Sequence, residues 1–471
     1  MQPLLLLYSE TNADNISSRL GKSEYSYYFV LKWFAPALAT LGEIKIIQDP
    51  LTEADHAYDL ATQQGRPCVL FSFAPPHRTL MPQRCPIVPL VAWEFDRIPD
   101  YSWDGQPETD WRYNLKRAGC AITHSQFARR AILNAMGEDF PVWSIPAPVW
   151  DRFHARGLQY HGEQGRTPAR GINLHVKGML YDSTEHIPSD PSEGLRQARL
   201  DMERPAPVQV TKWQRRAARW QKRLHKVTRL FKADETSNTA PAQASPPPLH
   251  HLHAKGVVYA SILNPSDARK NWCDIVTGFV SAFQNVEDAV LVLKLNELDS
   301  TNTFIHMTFM LKKFMWMKCK IYIFNGYLED HDYDQFLDGI DYVVNFSTGE
   351  GQCLPLMELM SMGVPAISPD HTSMADYVTP ENAYILPSFK TLSSWPHDSR
   401  LAFSTLSCQV SWEALRNAYT ESYQRAKLHP SAYQVMSRAA MQGLAQHCSL
   451  KVATSTLAQV LTSPAVTSPA A

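Results

Sequence analysis

Two glutamates, Glu350 and Glu358, stand with seven residues between them in the string FSTGEGQCLPLMELMSMGVPAISPD. An apolar run ends at Phe346, a turn carrying Gly349 and Gly351 follows, and Pro355 opens a helix. Glu350 therefore falls in the turn and Glu358 within the helix. Carboxylates so placed can accept hydrogen bonds from sugar and ribose hydroxyls. The glycines permit close backbone approach to a ligand. The start of the helix favours an anion such as a diphosphate. Spacing alone fits two ordinary surface charges equally well.

Further strings carry candidate chemistry. In SILNPSDARKNW, Arg269 and Lys270 sit at a helix start, where cations are disfavoured unless an anion binds beside them. In VPLVAWEFDRIP, Glu94 or Asp96 could orient an acceptor hydroxyl; equally, Asp96 could fasten a turn by pairing with Arg97 or Arg112. His77 and His124 are lone histidines, better read as structural than as cleft residues. His250, His251 and His253 fall in a linker without further ligands, so no metal site is expected.

These residues need a scaffold that brings distant loops together. Short apolar strands alternate with helices along both ends of the chain, which argues for parallel sheets. The first series has strands at 4–8, 44–47, 68–73, 87–93 and 121–123. Helices are expected at 25–41 and 126–136, the latter capped by Ser125 and stopped at Gly137. The second series has strands at 257–262, 289–293, 321–324, 342–346 and 365–368, with helices at 274–283, 304–317 and 354–362. The expected division is an N-terminal domain over 1–150, an insertion over 151–255 and a second domain over 256–410. Closing helices over 411–462 and a disordered tail over 463–471 complete it. Two open parallel sheets facing each other make a cleft at the carboxyl ends of their strands, where ligands bind.

Composition narrows the class. The chain has 471 residues, too many for one hydrophobic core, with 44% hydrophobic and 19% charged residues. A net charge of -1 gives no electrostatic case for nucleic acid. The eight scattered cysteines form no CxxC pair and read as reduced thiols in a cytoplasmic protein. No apolar run reaches the roughly 18 residues that a membrane span needs. The segment Lys212 to Lys232 holds nine Lys or Arg and no Asp or Glu. Trp213, Ala217, Trp220, Leu224, Val227 and Phe231 recur there at helical spacing, which suits an anionic membrane surface. A helix packed on its own domain and a coiled segment fit the same stripe. The stretch TSNTAPAQASPPPLHHLH that follows reads as disordered.

The Glu350 to Asp370 block resembles the E-x7-E signature of retaining family 4 glycosyltransferases, in a frame of glycine turn, Leu-Pro, helix, Gly-x-Pro, strand and Asp. The likeness extends over most of the chain outside the insertion. It implies the GT-B fold: α/β, with two Rossmann-like domains facing a cleft. It also implies transfer of a hexose from a nucleoside diphosphate sugar, without cofactor or metal and with retained configuration. Growing surface glycans or lipid-linked saccharides are the implied acceptors. By the same resemblance Glu350 meets the donor sugar and Glu358 the ribose, and Gly349, Gly351, Gln352, Cys353 and Leu354 line the donor pocket. Cys353 departs from the family's more frequent glycine. The family sets an arginine and a lysine against the diphosphate: the lysine is Lys270, while the arginine position falls on Asn264, so Arg269 would supply the second charge. Trp93 and Glu94 stand near a common family histidine. Gly21 and Lys22 match the acceptor loop, with one glycine where two are common. These departures keep open a second reading, a catalytically silent GT-B-like scaffold that binds nucleotide or glycan. An epimerase of the same fold is a third. A phosphorylase would need a pyridoxal phosphate lysine, for which no site is found.

Overall fold

The structure is a computed structural model that describes residues 2–12, 15–16, 21, 25–103, 105–203, 249–396, 398, 400 and 402–467. Lys22 and the basic segment 212–232 lie outside the described residues.

The N-terminal sheet has six strands: β1 (Leu4–Ser9), β2 (Glu43–Ile46), β3 (Cys68–Phe73), β4 (Ile87–Val91), β5 (Ala121–Thr123) and β6 (Val142–Ser144). Their order is β2-β1-β3-β4-β5-β6, all parallel. β3 and β4 are buried along their whole length, as continuous apolar runs require. The connecting helices are α1 (Tyr25–Ala39), α2 (Pro50–Gln63), α3 (Trp111–Ala118) and α4 (Gln126–Met136). The Ser125 hydroxyl accepts from Ala128 N, and Gly137 ends α4 at φ 102°. α5 (Trp150–His161) then leads out of this domain.

The segment expected to be an insertion contributes structure to the second domain. β7 (Ile172–Lys177) and β8 (Met179–Asp182) precede α6 (Pro191–Glu203). β9 (Leu249–Ala254) pairs antiparallel with β7. His250, His251 and His253 thus lie in a strand rather than in a disordered linker. Leu252 and Ala254 alternate inward there, which holds the strand to the core.

β10 (Val257–Leu263), α7 (Trp272–Phe283), β11 (Ala289–Leu295), α8 (Thr301–Lys312), β12 (Lys320–Asn325) and α9 (Asp330–Asp338) follow in alternation. Next come β13 (Tyr342–Val344), α10 (Leu354–Ser361), β14 (Ala366–Ser368) and β15 (Ala383–Ile385). The sheet order is β15-β14-β13-β10-β11-β12-β8, parallel except for β8 at the edge. Two parallel-sheet domains therefore face each other, the GT-B arrangement. A hairpin of β16 (Ser388–Ser394) and β17 (Ser404–Val410) was not foreseen; it reaches the first domain through Trp395 and Phe403, which join the cluster around Trp93 and Trp111.

The chain closes with α11 (Trp412–Leu428), α12 (Pro430–Cys448) and α13 (Leu450–Thr462). Trp150 Nε1 donates to Met441 O at 2.8 Å and Leu450 N to Asp151 Oδ2 at 2.6 Å, which fastens this return to α5. α14 (Pro464–Thr467) follows, so the described part of the expected disordered tail is helical. All eight cysteines are free.

Candidate active site

A cavity of about 910 Å³ opens between the two domains at the carboxyl ends of their strands. The glycine turn and α10 form one side. Glu350 and Glu358 are both buried there and both line the cavity.

The two glutamates have opposite partners. Glu350 Oε1 lies 2.5 Å from Lys270 Nζ. Burial alone would lower the Lys270 ammonium, but Glu350, Cys353 and Asp267 together outweigh it and leave the value raised. Glu358 instead accepts a hydrogen bond from the Tyr333 hydroxyl at 2.6 Å. Burial pushes its carboxyl up to about 7, against the opposing pull of Tyr333, Arg152 and Lys32. Tyr333, on α9, had no signal in the sequence: it lies far from Glu358 along the chain, and only the fold brings them together.

Arg269 is a clasp between domains. Its Nη1 lies 2.8 Å from Glu94 Oε1 and donates to Gly349 O at 3.1 Å, while Nε and Nη2 hold Asp267 at 3.1 and 2.6 Å. Burial raises the Glu94 carboxyl, opposed by the Arg269 charge. Glu94 lines the cavity. Asp96 does not. Its Oδ1 accepts from Thr405 Oγ1 at 2.9 Å and Leu406 N at 2.8 Å, so it pins β17 to the first domain. It serves neither Arg97, which pairs with Asp100, nor Arg112, which pairs with Asp110.

Gly351 lines the cavity, and packing between the domains also asks for glycine at both Gly349 and Gly351. A Cβ on Gly349 would stand 3.1 Å from Glu94 O, and one on Gly351 3.2 Å from Trp93 N. They let the second domain's turn press against the β4 loop of the first. Gln352 spans the same junction, its Oε1 accepting from Ala147 N at 3.0 Å. Cys353 sits at φ 59°, ψ 64°, a left-handed conformation that suits glycine, just before Leu354 starts α10. Asn264 Nδ2 donates to Gly21 O at 2.9 Å, which draws the first domain's loop onto the end of β10.

His77 lines the cavity, with Trp111 Nε1 donating to its Nδ1 at 3.1 Å. His124 is buried away from it against Ile145 O, and burial lowers it to about 4. Trp103 and Trp395 add to an aromatic wall on this side. Among the described residues no group of three or more His, Cys, Asp or Glu is arranged to hold a metal ion, and no helix is long and apolar enough to cross a membrane.

No protein-family model matches the chain, and no curated protein matches it. Solved structures similar to it include HepE from Anabaena in complex with UDP, at 11% identity and a TM-score of 0.48 over 98% of this chain and 99% of that one. Sucrose-phosphate synthase from Thermosynechococcus elongatus is 12% identical at a TM-score of 0.48, over 98% of both chains. A glycosyltransferase from Rickettsia africae is 11% identical at 0.47, over 98% of this chain and 97% of that one.

Proposed function

We propose that the chain is a glycosyltransferase that moves a hexose from a nucleoside diphosphate sugar to an acceptor hydroxyl with retention of configuration. The observation that carries this reading is the Lys270–Glu350 pair and Glu358 on one side of a single inter-domain cavity. Lys270 meets the diphosphate and offsets the charge that grows on it as the bond to the anomeric carbon breaks. The acceptor oxygen bonds to that carbon from the same face, and its proton leaves with the diphosphate. Glu350, freed in part from Lys270 by the incoming phosphate, accepts from the sugar hydroxyls. Glu358 accepts from the ribose hydroxyls in place of Tyr333.

The acceptor in this reading is a glycan or a lipid-linked saccharide, and the enzyme works in the cytoplasm on the inner membrane face in surface polysaccharide synthesis. The basic sequence Lys212 to Lys232 motivates that placement. Co-sedimentation with phosphatidylglycerol vesicles, with and without residues 212–232, tests it: equal pelleting removes the segment as anchor. The second reading, a nucleotide-binding scaffold, is favoured by the full engagement of Arg269 with Glu94 and Asp267. Release of nucleoside diphosphate across a panel of sugar nucleotides separates the two. The enzyme turns at least one donor over, without divalent metal and in the presence of EDTA. The scaffold binds without turnover.

A further inference from the structure

Lys294 lies near the end of β11, is 5% exposed and lines the inter-domain cavity. The other Lys and Arg side chains lining that cavity each have a carboxylate: Lys32 has Asp330 at 3.0 Å, Arg78 has Glu10 at 3.5 Å and Arg152 has Asp334 at 3.2 Å. Arg269 has Glu94 and Asp267, and Lys270 has Glu350. Among the described residues Lys294 donates only to the neutral amide oxygen of Asn296. Burial lowers its ammonium to about 7, with no carboxylate among the described residues to oppose it. A buried cation without an anion is costly to the fold, and an apolar residue of the same length would remove that cost.

The surroundings say which part of a ligand would supply the anion. β11 runs parallel beside β10, with Lys294 opposite Ile262, two residues before Asn264. The chain leaves β10 through Asn264 to reach Lys270 in the same cavity wall. Asn264 is neutral and occupied, donating to Gly21 O and accepting from Ser266 N at 3.1 Å. Arg269 is neutralised by two carboxylates. The charge left for a second negative group beside Lys270 is therefore that of Lys294.

We propose that Lys294 binds the diphosphate of the nucleotide ligand together with Lys270. This rests on the glycosyltransferase reading of the cavity and replaces Arg269 as the second diphosphate cation. The bound anion would restore full protonation of Lys294 and supply a counter-charge that no described residue provides. Lys294 is then a binding residue for donor and released diphosphate alike.

Calorimetry with the full chain tests this, using UDP, ADP and GDP and the matching nucleosides as probes. Lys294→Met is expected to weaken diphosphate binding by about tenfold or more, the scale of one lost charge-assisted hydrogen bond. Nucleoside binding should stay within about twofold, the sign that a charge contact alone has gone. The ligand-free melting temperature of Lys294→Met should equal or exceed that of the wild type. Diphosphate affinity unchanged in the folded variant overturns the inference while the site reading stands. If no diphosphate binds the wild-type chain, the site reading fails and takes this inference with it. Lys294→Gln, which can still reach Asn296, serves as the second variant if Lys294→Met does not fold.

Discussion

The two walls of the cleft are built from different chemistry. The first domain presents mainly rings: Tyr25, Phe29, Trp33, His77, Trp103 and Trp111. The second presents Asn264, Lys270, Lys294, Glu350 and Glu358, with polar and charged groups close together. Rings provide flat apolar faces with a polar rim, which suit a sugar and bind by area. Paired and unpaired charges suit a diphosphate and the hydroxyls next to it. Under the proposed glycosyltransferase reading, the donor belongs to the second domain and the acceptor to the first. The Arg269–Glu94 contact and the Asp96 contacts to β17 hold the two walls in register.

The largest break in this comparison comes at Lys270. Lys270→Ala is expected to lower turnover by roughly 100-fold or more, as loss of one group facing developing charge does. It also leaves Glu350 buried without its cation, which destabilises the fold. The double variant Lys270→Ala/Glu350→Gln should recover stability but not turnover. Recovery of both, read by thermal melts and initial rates, would remove Lys270 from the chemistry.

Glu358 gives a two-sided effect. Its carboxyl stands at about 7 in the fold against an ordinary 4.5. A raised carboxyl stabilises the fold fully below the unfolded value, and that stability is lost as pH rises through 7. The span corresponds to about 3 kcal/mol. Glu358→Gln should therefore melt higher than wild type above pH 7 and show a flatter profile between pH 4.5 and 7. The same variant should bind nucleoside diphosphate about 10- to 100-fold more weakly, since a charged acceptor is lost. Wild-type affinity should grow as pH rises through 7. Parallel movement of stability and affinity would contradict the ribose role.

The aromatic wall predicts a smaller, one-sided change. Trp103→Ala should raise the acceptor KM about tenfold through lost ring contact and leave nucleoside diphosphate affinity unchanged. A loss of diphosphate affinity instead would move the donor towards the first domain. The smallest effect is at Cys353. Cys353→Gly relieves a left-handed backbone and should stabilise the fold by about 1 kcal/mol, read as a higher melting temperature.

Much of this scaffold was legible because local rules sufficed. Cys68–Phe73, Ala121–Thr123 and Gln126–Met136 are elements with the bounds that the apolar runs and the Ser125 and Gly137 caps define. β7 and β9 were not legible. Their inward Leu and Val alternate with His, Asn and Lys, and β9 abuts a low-complexity stretch that masks the period. In the site, the Glu350 to Asp370 block and Lys270 stood out because one turn and one helix start carry them. The roles of Asp96 and Tyr333 depend on partners from other parts of the chain, which no local pattern encodes. At Gly349 and Gly351 a close backbone approach to Glu94 and Trp93 asks for the same residue type as a ligand would, and Gly351 lines the cavity as well.

The most direct test of the central claim follows sugar release and transfer by proton NMR across a panel of UDP-, GDP-, ADP- and TDP-hexoses in EDTA. The account predicts turnover of at least one donor, abolished in Lys270→Ala, with the first product formed in the donor's own anomeric configuration. Intact diphosphate binding with no turnover of any donor, or an inverted first product, would contradict it.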